Sequence, residues 1–70
     1  MQLMHRISNL AEDGSKVYVY PTTYQATDID CYYGIIIDVD ERLRWFELED
    51  DDGTSTLLRL GAITNIVIEG

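Results

Sequence analysis

The chain reads as a mainly β domain: a short N-terminal helix followed by a five-stranded, strongly bent antiparallel sheet closing on itself as a small barrel. Three features point there. Apolar residues change from a spacing of three and four before Gly14 to alternation after Lys16. A glycine, Gly34, interrupts the most β-prone run, and turns rich in Asp or Gly separate the short apolar segments. Seventy residues hold one such domain and no second.

Leu3, Met4, Ile7, Leu10 and Ala11 give one apolar face to a helix over 3–12, which Gly14 ends. A helix this short is marginal alone, so it must lie against apolar surface, and one opening of the barrel is the expected place. Val17 and Val19 alternate with Tyr18 and Tyr20 in a strand over 16–20, and Pro21 lacks the amide that would extend its ladder. The polar stretch 21–30, rich in Thr and Asp, is the longest irregular segment and the expected place for a functional loop.

Residues 31–39 carry the strongest strand signal, and Gly34 marks a bend or bulge within it. Asp40-Glu41-Arg42 turns the chain into a strand over 43–49, which carries Trp45, Phe46 and Leu48. Asp50-Asp51-Asp52-Gly53 closes the next hairpin, with Gly53 supplying the positive φ such loops favour. A strand over 54–60 places Leu58 and Leu60 on one face and Leu57 and Arg59 on the other. Gly61-Ala62 permits a tight turn before a last strand over 65–69, marked by Ile63, Ile66 and Ile68.

Gly14-Ser15-Lys16-Val17-Tyr18-Val19, Gly34-Ile35-Ile36-Ile37-Asp38-Val39-Asp40 and Leu60-Gly61-Ala62-Ile63 together resemble the pattern of the Sm-like family. That resemblance implies an Sm-like (Src homology 3-like) small barrel. RNA-binding members carry an Asn shortly after the Asp of the second strand and an Arg or Lys before the terminal Gly. Here Asp40 is present, but Leu43-Arg44 stands where an apolar-Asn pair is expected, and Leu60 precedes Gly61. Trp45-Phe46-Glu47-Leu48-Glu49, the acidic hairpin and residues 57–64 are similar to the end of the Rof family, acidic Sm-like proteins that bind and inhibit the transcription terminator Rho. This second resemblance implies a protein that occupies a nucleic-acid-binding surface.

Charge narrows the function further. Thirteen acids oppose five bases, a net charge of -8. Asp28, Asp30, Asp38, Asp40, Glu41, Glu47, Glu49, Asp50, Asp51 and Asp52 face only Arg42 and Arg44 in the same stretch. Such a chain repels nucleic acid, whose phosphates need cations, and attracts basic protein surfaces. The longest apolar run, Ile35-Ile36-Ile37, is far short of a membrane span, and no charged leader precedes a long hydrophobic stretch, so a cytoplasmic protein is expected.

Catalysis and cofactors are not expected. The single Cys31 forms no internal disulfide, and with the single His5 it cannot complete a structural zinc site. As nucleophile and base, the same two residues lack an orienting group and a cleft. Asp38 and Asp40 share a face in an uninterrupted strand and have the form of an acid/base or cation pair, whereas the plainer reading is a strand end running into a solvated turn. Aligning Gly53 with the glycine of a calcium loop puts Leu48 and Arg59 at ligand positions, which excludes an EF-hand.

What remains is a non-catalytic inhibitor or adaptor. Asp38, Asp40, Glu47, Glu49, Asp50, Asp51 and Asp52 form the expected docking edge, with Trp45 or Tyr32 as apolar anchor. The expected partner is a basic protein, such as a nucleic-acid-binding enzyme or factor in transcription or in phage and host defence. Five tyrosines, one tryptophan and one phenylalanine exceed what so narrow a barrel buries, so one member each of Tyr32/Tyr33 and Trp45/Phe46 is expected outside. The alternative is an Sm-like homo-oligomer, structural or weakly RNA-binding, joined through its strand edges.

Overall fold

The computed structural model describes residues 2–22 and 31–69. Helix α1 (Gln2–Asp13) precedes strands β1 (Lys16–Pro21), β2 (Tyr32–Asp40), β3 (Trp45–Glu49) and β4 (Ser55–Arg59), a 3-10 turn (Leu60–Ala62) and β5 (Ile63–Ile68). All neighbouring strands are antiparallel, in the order β4-β3-β2-β1-β5. A mainly β domain of one helix and five strands is therefore observed. Among the described residues the sheet is open: the order leaves β4 and β5 as its two edges, and no pairing closes a barrel.

Several boundaries move for local reasons. Leu43 and Arg44 belong to the turn before β3, where Arg44 takes a φ of 60°, so β3 starts at Trp45 rather than 43. Leu60 opens the 3-10 turn instead of ending β4, and its amide donates to the Arg44 carbonyl at 2.9 Å. β5 leaves that turn at once, from Ile63 rather than 65. Pro21 remains in β1 opposite Ile63, after a register shift at Tyr20/Pro21 that tolerates its missing amide. Of the loop expected over 21–30, residues 23–30, including Tyr24, Asp28 and Asp30, lie outside the described residues.

α1 ends as its glycine dictates. Gly14, at a φ of 68°, donates to the Ala11 carbonyl, and Ser15 donates to that of Leu10, the paired closure of a left-handed cap. Met4, Ile7 and Leu10 then meet Val17, Val19, Ile36, Phe46, Leu48, Leu58, Ile63 and Ile66 in the core. The helix lies against β2.

β2 is the hinge of the sheet. Its first half pairs with β1, from Tyr32↔Val19 to Ile35↔Lys16, and its second half pairs with β3, from Ile35↔Glu49 to Asp40↔Trp45. Gly34 permits the bend between the halves: it holds a φ of 152°, and a Cβ there would overlap the Glu49 carbonyl. A bulge at Ile37 follows, so Ile36 faces Leu48 while Asp38 faces Glu47.

Candidate functional site

Strand alternation sorts the side chains. Phe46, Leu48 and Leu58 point into the core, which sends Trp45, Glu47 and Glu49 of β3, and Ser55, Leu57 and Arg59 of β4, to the opposite face. The bulge keeps β2 in phase with this pattern: Ile36 and Val39 pack on the core, while Asp38 and Asp40 join the outward set. Cross-strand register then builds three rows on that outer face. These are Ile35, Glu49 and Ser55; Asp38, Glu47 and Leu57; and Asp40, Trp45 and Arg59.

Four of the expected docking acids, Asp38, Asp40, Glu47 and Glu49, are thus brought onto one face with Trp45. Asp50, Asp51 and Asp52 continue from it as the tip of the β3–β4 hairpin. The other acids among the described residues lie elsewhere: Glu12 and Asp13 on α1, Glu41 in the β2–β3 turn, and Glu69 beyond β5.

Four of the seven acids have local partners. Asp40 Oδ1 accepts from the amides of Arg42 and Leu43 at 3.0 and 2.9 Å, pinning the β2–β3 turn. Asp50 Oδ1 accepts from Asp52 and Thr54 at 2.9 and 3.1 Å, and its backbone bonds Thr54 and Gly53 across the same tip. Asp38 Oδ1 accepts the neighbouring Val39 amide at 2.9 Å. Asp51 makes the one ion pair among the described residues, 3.4 Å from Lys16 Nζ.

Tyr32 is separated from the Asp38/Glu47 row. It pairs with the inward-facing Val19, packs against the core, and lines a cleft of about 470 Å³ with Cys31, Leu48 and the hairpin aspartates. Tyr32 therefore stands beside the hairpin tip, and Trp45 beside the strand acids. Phe46 is fully buried and Trp45 half-buried, as the narrow core requires of one member of that pair. Tyr32 and Tyr33 are both half-buried.

A second outward cluster lies beyond the bend, on β1 and the first half of β2. The rings of Tyr18 and Tyr33 sit 4.9 Å apart, Lys16 Nζ lies 5.9 Å from the Tyr33 centroid, and the Tyr33 hydroxyl donates to Glu69 at 3.1 Å. The hydrogen bond and charge of Asp51 hold the Lys16 pKa above its ordinary value. Withdrawal from water, then the Glu69 bond, raises that of Tyr33. The alternation of Lys16, Tyr18 and Tyr20 signals this face, but the contact with Tyr33 depends on register.

Ile37, half-exposed in the bulge, lines a shallow groove with Ser8, Ala11, Asp38 and Glu41, across which Ser8 Oγ donates to Glu41 at 2.8 Å. His5 is exposed on α1. Among the described residues, no three His, Cys, Asp or Glu side chains are grouped to hold a metal ion, and no helix is long and apolar enough to cross a membrane. No protein-family model and no curated protein matches the chain.

Proposed function

We propose that this protein is a non-catalytic acidic binding module, an inhibitor or adaptor that docks its outer sheet face on the basic, nucleic-acid-binding surface of a partner protein. One observation carries the reading: Asp38, Asp40, Glu47 and Glu49 share a face with Trp45, and none of them forms an ion pair among the described residues. Carboxylates left unpaired on a rigid sheet present a set of acceptors to lysine and arginine side chains, and Trp45 adds an aromatic surface for a guanidinium. Association of this kind is fast and weakens with salt.

The accompanying fold reading is an Sm-like small barrel. The strand order, the glycine bend that lets β2 serve both halves of the sheet, and the 3-10 turn between β4 and β5 support it. The Rof-like resemblance of residues 45–64 favours a partner whose blocked surface binds nucleic acid.

Titration with an arginine-rich peptide, a glutamate-rich peptide and an oligonucleotide, at low and high salt, tests the proposal. Binding of the first alone, weakened by salt and by Glu47→Gln with Glu49→Gln, is expected. Absence of arginine-peptide binding at low salt, or binding indifferent to those substitutions, overturns it.

A further inference from the structure

The second edge of the sheet differs from the acidic one. β5 reads Ile-Thr-Asn-Ile-Val-Ile, the only strand among the described residues without a charged residue; β1 carries Lys16, β2 Asp38 and Asp40, β3 Glu47 and Glu49, and β4 Arg59. Exposed strand edges are ordinarily guarded by charge, proline or a bulge. β5 instead exposes Val67 and Ile68 at 39% and 50%.

Backbone polarity marks which amides face outward from the sheet. The Glu69 amide donates to the Lys16 carbonyl at 2.8 Å, so the two-residue alternation of an antiparallel ladder turns Val67 and Asn65 toward β1 as well. Ile66 and Ile68 therefore present their amides to the open side. The Ile66 amide donates instead to Asn65 Oδ1 at 2.8 Å, a local stand-in for a strand partner.

We infer that β5 is a self-pairing edge, at which two copies of this chain join antiparallel, β5 to β5, about a two-fold axis. Charge selects the occupant. Each copy carries -8, so self-association is cheapest where the chain bears no charge, and this contact leaves the two acidic faces at opposite ends of a ten-stranded sheet. The β4 edge exposes Leu57, at 59%, but the strand also bears the charge of Arg59 and adjoins the aspartate tip, so like-charged copies meet there at greater cost. Pairing Ile66 with Ile68 of the second copy puts Val67 opposite itself. The Ile68 amides then find carbonyls across the axis, and those of Ile66 exchange Asn65 for a carbonyl.

This inference does not rest on the docking proposal, and salt separates the two. Screening reduces repulsion between like-charged copies, so the dimer strengthens with added salt, whereas docking on a basic partner weakens. Sedimentation velocity over a wide concentration range should show the mass rising from 8.0 kDa to twice that and no further, more readily in high salt. Val67→Lys should abolish the dimer and Leu57→Lys, at the β4 edge, should leave it intact. If Val67→Lys does not fold by circular dichroism, Ile68→Lys serves in its place. In a Cys31→Ser background, Val67→Cys should close a disulfide across the axis in a glutathione redox buffer, because such directly opposed strand residues lie about 4.5 Å apart at Cα. A single chain at every concentration and salt, assemblies larger than two, or loss of association with Leu57→Lys rather than Val67→Lys would overturn the inference.

Discussion

Asp38 faces Glu47 across the β2–β3 ladder, two carboxylates in register on one outer face with no cation paired to either among the described residues. Directly opposed like charges cost a sheet stability, so this pair is a local expense that the rest of the fold sustains. Asp38→Asn keeps the oxygen that accepts the Val39 amide and removes the repulsion. Urea denaturation should show a gain of about 0.5 kcal/mol, larger at low salt. The same variant should bind an arginine-rich peptide more weakly, so stability and affinity move in opposite directions.

The hairpin aspartates divide by role despite their adjacency. Asp50→Ala removes an acceptor serving both Asp52 and Thr54 and should cost about 1 kcal/mol, with faster amide exchange through the β3–β4 tip. Asp52→Asn removes a charge that makes no such bond and should leave stability near that of the parent. Denaturant midpoints of the two variants, measured side by side, check this.

Gly34 is the position where the backbone allows least. Alanine there would drive its Cβ into the Glu49 carbonyl and lie 3.1 Å from the Asp50 Cα, at a φ that side chains rarely adopt. The atoms it would meet are all backbone, so no side chain can swing aside to make room. Gly34→Ala should lose about 3 kcal/mol or more, read as a sharp fall in melting temperature. Gly53→Ala, where nothing lies within 4 Å, should cost less despite a φ of 84°.

Alkaline pH should destabilise the fold through one cluster. Lys16 is raised from 10.5 by the hydrogen bond and charge of Asp51, and Tyr33 from 10.0 by withdrawal from water and then by Glu69. A group that holds its proton more tightly when folded contributes stability that is complete below its unfolded pKa and is lost as pH rises through the folded value. Both shifts therefore act in the same direction, and the loss sets in above about pH 10. Melting temperatures of the parent, Lys16→Met and Tyr33→Phe measured across that range should converge at the alkaline end.

How the elements arise was legible along the chain because their signals are local. The helical spacing of Met4, Ile7 and Leu10, the alternation of Val17 and Val19, and the turn chemistry of Gly14, Asp50 and Gly53 need only near neighbours to act. Charge was equally plain, since a sum over residues requires no geometry.

Assembly into faces was decided elsewhere. The Ile37 bulge shifts the phase of β2 by one residue, and that shift keeps Asp38 outward opposite Glu47 while Val39 still packs on the core. Tyr32 left the Asp38/Glu47 row because register pairs it with Val19, and Tyr33 gained Tyr18, Lys16 and Glu69 for the same reason. Nor could local pattern reveal that Asp38 and Glu47 confront each other. Periodicity tells a side chain which way it points relative to its own neighbours; the partner it meets there depends on strand register, which is settled only when the strands pair and pack on their shared core.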